Sequence, residues 1–387
     1  MQRYLSANWI FPVSSAPLNK GVLCISEEGE IEAVLTNEEA ISLSIEHIEQ
    51  FEGVLVPGFI NTHCHLELSH LFHKIRERTG LPDFVKEVVA QRNQVEEFII
   101  ADMTAADKQM YENGIVAVGD ISNELISKRV KEQSQVYYHT FVEVFGFNMP
   151  AAPIMERAIN IKEGFRPLKA SIVPHAPYSV AKDLFEAIQE HTAKDDVLSI
   201  HNQETEAENE FFEKGTGQFE SMYQRLNIPK SASHGNGHNA IHYHLPQLPK
   251  NNLLLVHNTF SSKADVDFAQ QIHHNLYWCL CPNANLYIED RLPDVEMLQA
   301  EGVDITLGTD SLASNHQLSI LSEMQTLQQC RQVPFEELLK WATLNGARFL
   351  GIDAQYGSFE VGKKPGINLI ELTNGQTIRS KNVKRLI

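Results

Sequence analysis

Eight short apolar runs, separated by longer helix-like stretches, constrain this chain more than any other feature. The runs are 54–60, 115–119, 137–145, 168–174, 196–200, 252–256, 275–281 and 303–308. The stretches between them include 83–98, 180–193, 262–272 and 316–331. Eight strand–helix units in series predict an α/β protein built as a (β/α)8, TIM-like barrel. A doubly wound open sheet is the alternative, but no glycine-rich dinucleotide loop follows an early strand.

In such barrels the C-terminal strand ends carry the active site. The residues at those ends are His63 and His65, Asp120, Glu143, His175, His201, His257, Asn283 and Asp310. A polar residue often ends a strand for structural reasons alone, and Asp120 and Glu143 by themselves read more readily as structural than catalytic. The four pieces carrying His63/His65, His201, His257 and Asp310 together read as one mononuclear metal site built for hydrolysis. His63 and His65, in VLVPGFINTHCH, lie two apart, so on a strand they point to the same side. Such a pair can grip one cation, and neutral imidazole suits zinc or ferrous iron.

The chain has 387 residues, 43% of them hydrophobic and 21% charged, ordinary values for a globular protein. Its formal net charge of −18 argues against nucleic acid or an anionic membrane as partner. A small-molecule substrate is expected, and homo-oligomer formation stays open. Five cysteines, an odd number without disulfide or CxxC spacing, fit a reducing cytoplasm. MQRYLSANWIFPV has no basic segment leading into an apolar core, so no signal peptide is expected. No apolar stretch reaches the ~18 residues of a membrane span. The β-like pieces at both ends predict one small β-sandwich, residues 1–53 plus 352–387, beside a barrel of 54–351, with Pro57-Gly58 as the hinge.

At the motif level the chain resembles the amidohydrolase superfamily, in its aminohydrolase (deaminase) branch. PGFINTHCHLE is similar to the first-strand motif, HNQETEAE to the fifth, VHNT to the sixth, CPNANLYI to the seventh and GTDSLASN to the eighth. GARFLGIDAQYGSFEVGKKPG resembles the usual run into the terminal domain. The resemblance implies that His63, His65, His201 and Asp310 hold one divalent metal, Zn2+ first and Fe2+ as the alternative. It places His257 beside the activated water and gives Glu204 the proton transfers to the substrate ring. Asp310 would take the proton of the water and deliver it to the leaving amine. His175, in VPHAPYS, would contact substrate or orient a ligand, and Glu143 and Asn283 are further candidates for substrate contact. Dinuclear relatives carry a carboxylated lysine ending the fourth strand; here that strand ends in Pro174-His175, so a single metal is expected.

The resemblance, especially THCHLE, HxxE and TDSLASN, extends to aminodeoxyfutalosine deaminases of the menaquinone route and to adenosylhomocysteine and chlorohydrolase-like enzymes. It implies hydrolytic deamination of a 6-aminopurine-type nucleoside derivative with release of ammonia. An amide or C–Cl hydrolase on a nitrogen heterocycle, a free-base guanine or cytosine deaminase, and a non-catalytic binding protein are the alternatives. The four histidines of SASHGNGHNAIHYH, His234, His238, His242 and His244, lack a carboxylate and read as a surface or substrate-covering loop. Glu206, Glu208 and Glu210 read as a solvated acidic run, and Glu323 as a helix-surface or capping residue.

Overall fold

The computed structural model describes residues 2–147, 149–374, 376–380 and 382–387. Eight short parallel strands position the site. They are β1 (Phe59–Cys64), β2 (Ile115–Ser122), β3 (Tyr137–Val144) and β4 (Lys169–Pro174), then β5 (Leu198–Asn202), β6 (Leu253–His257), β7 (Leu276–Leu280) and β8 (Asp304–Leu307). β1–β4 form one four-stranded sheet and β5–β8 another, each in sequence order. The sheets touch at both ends. His201 N–H donates to His175 O at 3.0 Å, and the N–H groups of Thr309 and Asp310 both reach His63 O at 3.1 Å. Near-continuous apolar runs such as Leu253–Val256 suit strands covered on both faces.

Helices cover the sheets because their apolar residues recur at helical spacing. Lys182–His191 buries Leu184, Phe185 and Ile188. Ile320–Arg331 buries Ile320, Met324 and Leu327. Lys263–Ile272 starts on a reciprocal cap, Ser262 with Asp265, which satisfies backbone donors the helix leaves open. The stretch 83–98 holds the end of one helix, Leu81–Gln91, and the start of another, Glu96–Glu112.

The run 54–60 divides between two sheets. Val54–Pro57 end the strand Ile48–Pro57, which pairs antiparallel with Ile367–Ile370 and parallel with Arg3–Ile10. β1 begins only at Phe59. A Cβ on Gly58 would stand 2.2 Å from Val116 Cγ1 and 2.6 Å from Pro365 O, so only glycine fits where the chain changes sheets. Strands from both ends of the chain thus share one seven-stranded sheet, with Leu372–Thr373 and Thr377–Ile378 forming a separate two-stranded ribbon. Among the described residues no helix is long and apolar enough to cross a membrane.

Candidate active site

The ends of β1, β5 and β8 bring four side chains together. His65 Nε2 lies 3.1 Å from His63 Nε2 and 3.3 Å from His201 Nε2. Asp310 Oδ1 lies 3.4 Å from His65 Nε2 and 3.6 Å from His63 Nε2. Ligand atoms at bonds of ~2.0–2.1 Å around a tetrahedral cation stand about 3.3 Å apart, so this spacing fits one divalent metal. His201 Nδ1 donates to His175 O at 2.8 Å, which leaves the Nε2 lone pair for the centre. Burial pushes His65 down to about 3 and holds His201 well below its ordinary value, so both are neutral near pH 7, the form that binds a metal. Burial alone would lower His63, but Asp310 beside it leaves it raised. Burial alone would raise Asp310, but His63, His65 and His257 hold it well below the usual carboxylate range.

The backbone is bent to make this set. Asp310 has φ +55° and His257 φ +76°, a region costing non-glycine residues about 1–3 kcal/mol each. Gly308 allows the close approach: a Cβ there would lie 2.8 Å from His63 Cβ and 2.9 Å from Cys279 Sγ. Ser314 Oγ donates to Asp310 Oδ2 at 2.5 Å and fixes the carboxylate.

Glu204 and His257 meet beside the cluster, with Glu204 Oε1 3.6 Å from His257 Nε2. Burial, then the charges of Asp310, Glu208 and Glu289, push the Glu204 carboxyl well above its ordinary range. Burial lowers His257 to about 4. A carboxyl whose hold on a proton is strengthened, next to a neutral imidazole, is placed to exchange protons with a bound ring.

A cavity of about 270 Å³ opens over these groups. His65, His201, Glu204, His257 and Asp310 line its polar side, and Phe84, Val88, Tyr178, Phe219 and Met222 its apolar side. His175 and Glu143 also line it. Ser179 Oγ stands 2.7 Å from His175 Nδ1, and Glu143 Oε1 lies 3.6 Å from His201 Nδ1. Asn283 is not brought to the cavity. Its Nδ2 donates to Ser322 and Glu323, and its Oδ1 accepts from Thr326, so it ties the helix after β7 to the helix after β8.

Several charged groups behave differently from their sequence reading. Glu323 is fully buried rather than on a helix surface; it accepts from Asn283 N–H, Asn283 Nδ2 and Asn315 Nδ2, and burial raises it to about 8. Glu208 is fully buried rather than solvated; its Oε1 accepts from Gln203 N–H at 2.9 Å and burial raises it to about 8. The pattern Thr205-x-x-Glu208, an N-cap threonine followed three residues later by a glutamate, is a sequence signal that could have singled it out. Asp120, by contrast, has the structural role its sequence position favoured: Oδ2 pairs with Lys131 Nζ at 2.6 Å and Oδ1 accepts from Leu66 N–H at 2.8 Å, all buried. In the histidine-rich segment, His244 is buried against Asn202 and His234 packs on Phe211, so those two are part of the packing rather than of an exposed loop.

An adenosine deaminase of Helicobacter pylori is 27% identical over 86% of this chain and 83% of its own. An aminodeoxyfutalosine deaminase of a Nitratiruptor species is 26% identical over 91% of this chain and 88% of its own. The crystal structure of Helicobacter pylori aminofutalosine deaminase in complex with methylthio-coformycin superposes with a TM-score of 0.83 at 24% identity, covering 100% of both chains. The sequence model of the Amidohydrolase family matches residues 54–386, and the chain belongs to that family.

Proposed function

We propose that this protein is a metal-dependent hydrolytic deaminase of a 6-aminopurine-type nucleoside derivative, aminodeoxyfutalosine being the leading candidate. The observation that carries the reading is Glu204, a buried carboxyl that stands beside His257 in the same cavity as the histidine–aspartate cluster and whose hold on a proton burial strengthens. Both curated relatives described above are named as deaminases of such compounds.

His63, His65, His201 and Asp310 would hold the cation, zinc by its donor set, with ferrous iron as the alternative. Once bound, the cation supplies the Lewis acidity that lowers the pKa of a water from ~15.7 toward ~7. The carbon bearing the exocyclic amine is a poor electrophile until the adjacent ring nitrogen is protonated, and Glu204 donates that proton. Asp310 takes the proton released as the water adds to the carbon. His257 stabilises the charge that develops on the added oxygen. The proton then passes from Asp310 to the amine, the C–N bond breaks, and ammonia leaves as the remaining hydroxyl proton returns to the Glu204 carboxylate, giving a ring carbonyl. His175 and Glu143 line the cavity and would contact the substrate. Displacement of chloride, the competing reaction, expels an anion that needs no proton, so it makes less demand on the proton-transfer residues than loss of an amine.

We further read the two four-stranded sheets as halves of one (β/α)8 barrel within residues 54–351, with Val54–Pro57 given over to the sheet of the chain ends. Residues 1–53 plus 352–387 would then form the companion β domain, and a cytoplasmic location suits the free cysteines. The functional reading is tested by supplying the metal-loaded protein with 5′-substituted adenosines and measuring ammonia. Deamination is expected; inertness toward all of them would overturn it.

A further inference from the structure

Glu323 takes no part in the proton transfers, yet it is fully buried on the helix Ile320–Arg331 that follows β8. No cation is among the groups that act on it. Burying a carboxyl without a counter-ion is costly, and hydrogen bonds must offset the cost. Three N–H groups do so. Asn283 N–H donates to Oε2 at 2.9 Å, Asn283 Nδ2 to Oε1 at 3.0 Å and Asn315 Nδ2 to Oε1 at 2.8 Å. Asn283 lies in the first turn of the helix after β7, Pro282–Glu289, and Asn315 in the loop after β8. One carboxyl thus ties together two loops of the rim that carries the site.

Asn315 passes the constraint on. Its Nδ2 also donates to Thr309 O at 2.8 Å, and its Oδ1 accepts from His316 N–H at 2.8 Å and Gln317 N–H at 3.3 Å. Both ends of this amide are used, and the acceptor at Glu323 helps to set which way it points. Between Thr309 and Asn315 lies Asp310, at φ +55° and held by Ser314 Oγ. Such a backbone persists only where its surroundings over-determine it. This loop is pinned at both ends: at Thr309 by His63 O and the side chain of Asn61, and at Asn315 by Glu323. Neither Glu323 nor Asn315 lines the active-site cavity, so what they contribute must pass through Asp310.

We propose that Glu323 is a positioning residue: acting through Asn315, it holds the loop of Asp310 so that the carboxylate stays at the histidine cluster. The proposal rests on the reading of Asp310 as metal ligand and proton carrier, and adds the group that keeps it in place.

The test loads the unaltered protein, Glu323→Gln, Asn315→Ala and the double variant with one equivalent of Zn2+. Zinc release to an excess of chelator is followed without substrate; kcat and KM for 5′-deoxyadenosine are measured separately. In Glu323→Gln the amide keeps one acceptor oxygen and turns N–H bonds toward groups that are themselves donors. Zinc should leave about 10–100-fold faster, the usual cost of losing a group that orients a metal ligand, and kcat should fall with KM little changed. Asn315→Ala should do the same. The double variant should stay within about threefold of the worse single one, because both changes cut one path. Ile188→Ala hollows the core under the helix Lys182–His191. It should melt lower and release zinc at the unaltered rate, which separates loss of position from loss of stability.

A folded Glu323→Gln that releases zinc within about twofold of the unaltered rate overturns the proposal. If that variant does not fold, Asn315→Ala decides alone, and an unaltered rate in it overturns the proposal. So do effects of the two changes that multiply, or release from Ile188→Ala as fast as from the other variants. Zinc release needs no substrate, so inertness toward every nucleoside would overturn the deaminase reading and not this one. Unaltered protein that holds neither zinc nor ferrous iron would overturn the metal site and the proposal with it.

Discussion

Glu204 Oε1 stands 3.6 Å from His257 Nε2, and burial shifts the two groups in opposite directions, the carboxyl upward and the imidazole downward. Glu204→Gln is nearly isosteric but cannot pass a proton on. It should lower kcat by about 10²–10⁴-fold. Metal content and thermal midpoint should stay as in the unaltered protein. Steady-state kinetics with elemental analysis checks this; a near-normal kcat would remove Glu204 from the mechanism.

The four donors at 3.1–3.6 Å surround room for a single cation. Elemental analysis should find one tightly held metal per chain. His65→Ala should lose metal and activity together. Two tightly held metals, both needed for turnover, would contradict the mononuclear site.

Glu208 makes stability depend on pH. Its carboxyl is raised to about 8 in the folded chain, against about 4.5 in an unfolded one. Below pH 4.5 both states hold the proton. Between 4.5 and 8 only the unfolded state gives it up, so this contribution to stability is lost as pH rises, by ~1.4 kcal/mol per unit. Glu208→Gln keeps an acceptor for Gln203 N–H and removes the ionisation. Urea unfolding at pH 6 and pH 9 should show the variant losing less stability between the two than the unaltered protein. Equal losses would contradict it.

Lys131 and Asp120 form an ion pair with both side chains fully buried, 2.6 Å apart, and Lys131 also donates to Ser122 and Thr140 at 2.9 Å each. Lys131→Met strands the carboxylate of Asp120. It should cost about 3–5 kcal/mol, measured by denaturant unfolding. A loss below ~1 kcal/mol would show that the pair is not the anchor of β2.

Much of this site was legible because its parts announce themselves locally. His63 lies in β1 and His65 one residue past its end, and His201, His257 and Asp310 each follow or end a short apolar run. Hydrophobicity, however, says that a run is buried and not which sheet it joins, so Val54–Pro57 read as part of a barrel strand although they pair with Ile367–Ile370. Contacts between distant segments leave no spacing to read. Asn283 and Glu323 lie 40 residues apart, and Arg92 and Asn123 31 apart. A buried glutamate such as Glu208 looks in sequence like its exposed neighbour Glu206. Which one faces the core depends on the helix axis, which β5 and the loop at Gln203 set.

The most direct measurement of the central claim is the stoichiometry of turnover. Metal-loaded protein is given 5′-deoxyadenosine, 5′-methylthioadenosine, S-adenosylhomocysteine and aminodeoxyfutalosine, alongside free adenine, guanine and cytosine. Ammonia release and the ultraviolet shift of the ring are followed together. Ammonia and a carbonyl-bearing purine should appear in equal amounts, with kcat/KM higher for at least one extended nucleoside than for every free base, because remote contacts position the reacting carbon. A metal-loaded, folded protein that releases no ammonia from any of them, or that prefers a free base to all the nucleosides, would contradict it.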